Sequence, residues 1–454
     1  MIAPSLPRLT DDQIDGIVEQ LRSAGVTSLI GTYIDNGGVA RAKQVPLERI
    51  RVFHLNGLGA SYSWAVFAID DTLQMTPEFS AVGDMRMRAD LTSLRILDGH
   101  VAWAPLELFD QSGMPLDHCP RGRLRQCEAR MAHAGLSALA AFEIEFAWFD
   151  AASGQVGDGS AYGLRAMMEN EDFFRDIMSS FECAGLGIEQ IHAEAGLGQI
   201  EVSVRPAGPL AAADALVLAR LILCRVARRH SKRLSFAPQS LEEGIGSGAH
   251  LHLSMMKEGA PILSGGDGAS GLTAQGEHAI GGILKWLPES LGVLAPSLLS
   301  AYRLQPGKWS GAWRGWGIEN RESAVRLCLA TLGNPYGAHL ELKVTDHTAN
   351  PYAVVAVVLG LAQKGISDKT PLPDALPVDV GSWTSAQLRR RSIRVLDGDQ
   401  GRNLELTIAS ETIEEILGRP MLAAIKAVRG HEVELARSAS RADLVTSFRF
   451  AWSS

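Results

Sequence analysis

Phe142-Glu143-Ile144-Glu145-Phe146 and His250-Leu251-His252-Leu253-Ser254 alternate polar and bulky apolar residues. Side chains of a β-strand leave its two faces in turn, so each stretch reads as a strand with its charges on one face. Gln199-Ile200-Glu201-Val202-Ser203-Val204 and His339-Leu340-Glu341-Leu342-Lys343-Val344 repeat the pattern. Glu194 lies seven residues ahead of Glu201, across Ala-Gly-Leu-Gly. One such strand alone reads as an amphipathic edge with its polar face in water. Four of them, with Glu-x-Glu and His-x-His where a solvent face would carry Lys or Thr, point instead to strands lining one cavity.

Five glutamates would then converge. Two unit charges about 4 Å apart repel by roughly 4 kcal/mol at an effective dielectric near 20. Such a cluster needs protonation or bound cations. Glutamates with a histidine are a hard donor set suited to Mg2+ or Mn2+. Six candidate ligands divide economically into two three-ligand sites with open positions for water or phosphate oxygens. Arg303, Arg321 and Arg326 fall in or just beyond a Gly/Trp-rich stretch, Tyr302 to Arg321. Divalent metals with guanidinium groups form a clamp for a transferring phosphoryl group. No Gly-x-x-x-x-Gly-Lys-Ser/Thr is present, and Gly246-x-Gly248 alone is a weak phosphate signal.

The rest of the chain bounds the class. At 454 residues two or three domains are expected. A net charge of −8 argues against a nucleic-acid surface. The longest apolar run, Ala353–Ala362, is half the roughly 20 residues a bilayer requires, so no membrane role is expected. Five scattered cysteines without a Cys-x-x-Cys pair fit a reducing compartment, and the N-terminus shows no signal pattern, so a cytoplasmic location is expected. Thr10 and Gln13 make a capping box, with Ile14, Ile17, Val18 and Leu21 on one helical face. Val26–Asp35, a turn at Asn36-Gly37-Gly38 and Val39–Val45 read as a hairpin. A helical stretch after Arg121 marks a domain boundary. Further helices are expected at about 210–230, 277–291, 351–364 and 411–437, with loops at 265–268 and 368–382. The basic run Arg225–Arg233 reads as a solvated helix end.

These residues resemble the glutamine synthetase superfamily, type I-like. The resemblance runs from about Val26 to about Gly365 on Phe-Glu-Ile-Glu-Phe, Glu194-Ala-Gly-Leu-Gly-Gln-Ile-Glu201, Gly246-Ser-Gly-Ala-His-Leu-His-Leu-Ser254, Glu319-Asn-Arg321 and His339-Leu-Glu-Leu-Lys-Val-Thr-Asp346 followed by Ala349-Asn-Pro-Tyr352. It implies an α+β chain: an N-terminal β-grasp domain, 1–120, and a glutamine-synthetase-like catalytic domain, 121–454, built on a curved antiparallel sheet surrounded by helices. It implies a homo-oligomeric double ring (a dodecamer) with active sites between subunits. Glu145, Glu194 and Glu201 would hold one Mg2+ or Mn2+, and Glu143, His250 and Glu341 a second. His252, Ser254, Arg321, Arg326 and His339 would contact ATP, while Gly246, Arg303, Trp309 and Lys343 would contact the amino-acid or amine substrate. Arg303, Arg321 and Arg326 would be the catalytic arginines. The implied reaction activates the γ-carboxylate of glutamate as an acyl phosphate, which an amine then displaces.

Departures from the family pattern carry the specificity. The flap glutamate expected two residues after Pro306-Gly307 is Trp309, and no Asp-Gly-Ser-Ser stands near Gly59-Ala-Ser-Tyr-Ser-Trp64. Aromatic surface in place of a carboxylate suits an organic amine over ammonium, so a γ-glutamyl-amide synthetase is favoured over a glutamine synthetase using ammonia. Lys343 and His339 replace expected arginines, and Ile245 replaces an asparagine. A glutamate-like acid is therefore the other alternative. No adenylylation loop is recognisable around 370–400. The six ligands together argue against a non-catalytic binding member, and against a phosphotransferase on the related guanidino-kinase fold.

Overall fold

The protein was analysed as a computed structural model that describes residues 6–334 and 337–453. Near the N-terminus, β1 (Ser28–Ile34), β2 (Ala40–Pro46), β3 (Leu58–Ser61), β4 (Asp84–Ala89), β5 (Arg95–Ile96) and β6 (Val101–Phe109) form one sheet. Its order is β2-β1-β6-β4-β3, with β5 also on β6; only β1 and β6 run parallel. The helix Asp11–Ser23 begins at the expected Thr10–Gln13 capping box. Its Ile14 and Leu21 share a core with Ile50 and Phe53 of the helix Ile50–Leu55 and with the sheet. Strands with two helices in one core agree with the expected grasp arrangement.

The β1–β2 hairpin forms as read, pairing Ser28 with Pro46 through Ile34 with Ala40. Its tip is fixed chemically: Asp35 accepts hydrogen bonds from the Gly37 and Val39 N–H groups, and Gly38 sits at φ +79°. A Cβ at Gly38 would lie 2.2 Å from the Thr348 carbonyl oxygen, so only glycine lets this tip dock on the rest of the chain.

A second sheet is built from β7 (Leu136–Asp150), β8 (Ile188–Ala193), β9 (Gln199–Val204), β10 (Lys232–Ser235), β11 (Ala249–Lys257), β12 (Ala260–Pro261), β13 (Trp313–Ile318), β14 (Ser323–Cys328), β15 (His339–Leu342) and β16 (Arg394–Val395). The order is β16-β13-β14-β15-β11-β7-β9-β8, with β10 on β7 and β12 on β11. All pairs are antiparallel except β13–β14, between which the chain doubles back through Glu319–Glu322. Phe142, Ile144, Phe146, Ile200, Val202, Leu251, Leu253, Leu340 and Leu342 enter one large core with the helices Pro120–His133, Pro209–Arg229, Ala274–Leu294 and Pro351–Ser367. The apolar side of each alternating strand is thereby buried under helices, and the polar side is left for the site.

Two expectations change. The helix read over 411–437 is two, Glu411–Leu417 and Arg419–Ser438, because Gly418 between them takes φ +83°. The basic run is not simply solvated: Arg225 and Arg229 both pair with Asp98 in the turn before β6. Helices Glu171–Cys183, Gln400–Ala409 and Arg441–Phe448 were not anticipated. In the helix Pro120–His133, Arg121 is wholly buried between Glu107, Asp90 and Asp214. No helix among the described residues is long and apolar enough to cross a membrane.

Candidate active site

Strand register converts the alternating residues into rows. Glu145 of β7 pairs with Glu201 of β9, which in turn faces His192 of β8. One step along, Glu143 lies between Ser203 on β9 and His250 on β11. On the other side His252 faces Glu341 of β15, which faces Arg326 of β14. Alternation sets the face, and antiparallel pairing brings the carboxylates and imidazoles into contact across it.

In the centre, His250 Nδ1 lies 3.2 Å from Glu143 Oε2 and 3.4 Å from Glu341 Oε1. Ligand atoms of Glu143, His250 and Glu341 fall within 4.8 Å of one another, so this expected set can converge on one cation. Burial opposes ionisation of Glu143, but the contacts from His250 and His252 outweigh it and hold its carboxyl well below the usual range. Glu341 is likewise buried, and Lys343 and His250 hold it down at about 2. Lys343 Nζ donates to Glu341 Oε1 at 2.7 Å, and Arg326 donates to Oε2 at 3.1 Å. A carboxylate kept ionised in a buried site is a competent hard ligand.

The second set is arranged differently from expectation. Glu194 and Glu201 converge with His192, whose Nε2 is 3.3 Å from Glu201 Oε1. Contact with Glu201 raises the His192 pKa to about 9. Glu145 borders the same space, but its Oε2 accepts from the Gly248 N–H at 2.7 Å and from Gln199 at 3.2 Å. Burial and the nearby Glu145 raise the pKa of Glu194, the response of a carboxylate crowded by another. His192 was missed by sequence reading, although His192-x-Glu194 carried the signal. Tyr162, which also contacts Glu194, lies in a glycine-rich loop without any pattern to find it.

A cavity of about 410 Å³ contains Glu143, Glu145, Glu194, Glu201 and His250. Gly246, Arg303, Trp309, Arg321 and Lys343 line it too, so the expected amino-acid and amine contacts share a space with the carboxylates. Arg303 is buried and its two Nη atoms donate to the carbonyls of Lys343, Val344 and Thr345. A Cβ at Gly246 would lie 2.1 Å from the Pro238 oxygen and 2.8 Å from Arg303 Cγ, which accounts for the glycine there. Trp309, Tyr162 and Ile245 are 53%, 55% and 43% exposed, an apolar rim on this cavity.

A neighbouring cavity of about 510 Å³ takes His252, Ser254 and His339, with Glu143 bordering both. The His252 and His339 rings sit 5.0 Å apart, and burial pushes the His339 pKa down. Arg321 is exposed and lines the first cavity, apart from these three. Arg326 lines neither cavity, its guanidinium being paired with Glu319 and Glu341, while Glu341 meets the first cavity through His250 and Lys343, which line it. Gly59–Trp64 belongs to the N-terminal sheet and the turn after β3, and borders neither cavity.

The family model for the glutamine synthetase catalytic domain matches residues 117–445. Gamma-glutamylpolyamine synthetase GlnA3 of Streptomyces coelicolor is 35% identical over 422 residues, covering 90% of each chain. A glutamine synthetase of Thermococcus kodakarensis is 30% identical over 396 residues, covering 86% of each. A solved glutamine synthase homolog superposes with a TM-score of 0.84 at 28% identity, over 94% of this chain and 99% of the other.

Proposed function

Since this chain belongs to the glutamine synthetase family, we propose that it joins glutamate to an organic amine, and that the amine is a polyamine. The chain is an ATP-dependent carboxylate–amine ligase. The observation that carries the choice of amine is Trp309, an aromatic ring on the cavity rim at the position where the family pattern leads to the expectation of a glutamate. With Tyr162 and Ile245 it offers apolar and π surface to the alkyl chain of a larger amine, and π faces attract ammonium groups. Glu242 and Glu243 are exposed two to three residues before Ile245, so acidic groups stand near that rim for a distal ammonium. The similarity to a γ-glutamylpolyamine synthetase supports the same choice.

Glutamine synthetases depend on ATP and divalent metal. The donor sets fit that requirement, since both convergent groups offer carboxylate oxygen and imidazole nitrogen and no thiolate. Glu143, His250 and Glu341 would hold one Mg2+ or Mn2+. Glu145, Glu194 and Glu201 would hold the other, with His192 oriented by Glu201. When bound, the metals neutralise charge on the transferring phosphoryl group. The chain's own residues do the rest. His252, Ser254 and His339 hold the nucleotide, Arg321 bears on its phosphates, and Arg326, paired with Glu341, holds that carboxylate for its metal. Arg303, Gly246 and Lys343 orient the amino acid, placing its γ-carboxylate toward the nucleotide cavity across Glu143. The loop at Trp309 excludes water from the acyl phosphate until the amine arrives.

We assign residues 1–120 and 121–454 to the two domains, the sites to the interfaces of a double ring of twelve subunits, and the protein to the cytoplasm. Amine choice is tested by phosphate release from ATP with L-glutamate and Mg2+ or Mn2+. Ammonia, ethanolamine, isopropylamine, aniline, putrescine and spermidine are compared, with the product identified by mass spectrometry. A γ-glutamylpolyamine with little turnover of ammonia is expected. Equal turnover of ammonia would return the protein to the glutamine synthetases proper, and no turnover with any amine would move the question to the acid.

A further inference from the structure

We infer that the buried pair Arg429–Glu432, on the helix Arg419–Ser438, positions Arg303 and thereby sets the affinity for the amino-acid substrate; this rests on the proposed contact of Arg303 with that substrate. Arg303 is the last residue of the six-residue helix Leu298–Arg303. Its guanidinium is held by the carbonyls of Lys343, Val344 and Thr345. Two segments therefore set where Arg303 stands: its own helix and the stretch from Lys343 to Thr348.

Arg429 and Glu432 grip both. Glu432 stands against Ser297 and Leu298, at the cap of the Arg303 helix, with its Oε2 buried there. It pairs with Arg429 Nη1 at 2.5 Å, and Arg429 Nη2 donates to the Thr348 carbonyl at 2.6 Å. From Thr348 the contacts return to Arg303 by two routes. Its hydroxyl donates to Asp346 Oδ1 at 2.6 Å, and Asp346 Oδ2 lies 3.9 Å from Arg303 Nε. The same hydroxyl lies 3.4 Å from Ser300 Oγ, one turn ahead of Arg303 on its helix. Neither Arg429 nor Glu432 lines either substrate cavity.

A buried ion pair is a weak means of stabilisation, since an apolar pair of similar volume commonly does as well. An apolar pair, however, cannot donate to the Thr348 carbonyl while placing a charge against the cap of the Arg303 helix. A substrate contact misplaced by about 1 Å loses much of its effect. The arrangement therefore controls geometry at Arg303 from the far side of its helix.

The test is steady-state kinetics with glutamate and ATP varied separately. Glu432→Gln is expected to raise the glutamate KM roughly tenfold, the scale of one lost charge-assisted hydrogen bond. The ATP KM should stay at the wild-type value. In an Arg303→Lys background, where the glutamate KM is already raised, Glu432→Gln should add nothing further, because both act through one group. The apolar double variant Arg429→Met with Glu432→Leu should keep the wild-type melting temperature yet retain the raised glutamate KM, which separates positioning from folding. A raised glutamate KM in Arg303→Lys with a wild-type value in Glu432→Gln, or effects that add in the double variant, would overturn the positioning role alone. A wild-type glutamate KM in Arg303→Lys would overturn the reading of Arg303, and the positioning inference with it.

Discussion

The backbone N–H of Trp309 donates to the buried Glu322 carboxylate at 2.9 Å, and the N–H of Gly307 reaches the other oxygen at 3.1 Å. One carboxylate thus holds both ends of the Gly307–Trp309 turn, where Trp309 takes φ +51°, a conformation that costs a side-chain-bearing residue roughly 1–2 kcal/mol. Glu322 lies beside Arg321 in sequence, so the loop over the cavity is tied to the turn between β13 and β14 that presents an arginine to it. Glu322→Gln replaces one acceptor oxygen by a donor and should release the turn. Phosphate release without amine is expected to rise several-fold relative to amide formed, as water reaches the acyl phosphate. An unchanged ratio of phosphate to amide would show that the loop is held by other contacts.

Trp309→Glu restores a carboxylate to the rim and removes the ring. A small hard cation gains most from that exchange, so kcat/KM for ammonia should rise at least tenfold relative to the best polyamine, about 1.4 kcal/mol of differential binding. A competition assay with both amines present reads this directly. If the amine profile does not move, Trp309 is a packing residue and the choice of amine is made elsewhere.

How much of this was legible beforehand follows from what alternation can encode. Glu143 with Glu145, and His250 with His252, announced a polar face because strand period is local. Which residue faces which across strands was not encoded locally. That His250 would meet Glu143, and Glu201 would meet Glu145 and His192, depends on register fixed by the packed sheet. The same limit explains the pairing of Arg225 and Arg229 with Asp98, more than 120 residues away in sequence. The hairpin at Asn36–Gly38 and the capping box at Thr10 were readable because a few adjacent residues decide them. Gly418 was visible too, but a lone glycine inside a helical pattern is tolerated often enough that the break needed the structure.

Lys343 spends its ammonium on Glu341, so a substrate carboxylate must compete with that pair. Lys343→Met removes the ammonium for which Glu341 and the substrate carboxylate compete. Glu341 then loses the strongest influence lowering its pKa, and the glutamate KM should rise by at least tenfold, while metal affinity holds or rises because no ammonium competes for the carboxylate. Lys343→Arg offers a fork that engages a carboxylate bidentately, and should preserve metal affinity while changing the relative acceptance of glutamate and shorter or longer acids. Titration of metal and of acid in separate experiments distinguishes the two effects.

His118 provides a stability prediction away from the active site. Its ring lies between Tyr62 and Phe79, at 5.7 and 5.0 Å, and burial lowers its pKa to about 4. Below an unfolded value near 6.5 the unfolded chain takes up a proton that the folded chain refuses. Stability from this group is therefore complete above about pH 6.5, falls as pH drops toward 4, and is flat below that, a loss of roughly 3 kcal/mol in all. His118→Phe removes the titrating group and keeps the aromatic contacts. Urea denaturation between pH 4 and 7.5 should show a shallower acid slope in the variant, and parallel slopes would mean that the ring protonates in place.

The carboxylate cluster itself predicts a response to metal that needs no turnover. Among the like charges at Glu143, Glu145, Glu194, Glu201 and Glu341, Glu143 is countered by His250 and His252 and Glu341 by Lys343, His250 and Arg326, and crowding still raises Glu194. Adding Mg2+ or Mn2+ should raise the melting temperature, because a ligand that binds only the folded state stabilises it by mass action. EDTA should reverse the shift and abolish phosphate release together. Glu341→Ala and Glu145→Ala each remove one ligand, one from each proposed set, so either should reduce the thermal shift and eliminate turnover. If Glu145→Ala keeps the full shift while His192→Ala loses part of it, the second cation is held by the converging His192, Glu194 and Glu201. Wild-type turnover in Glu341→Ala would remove the metal assignment altogether.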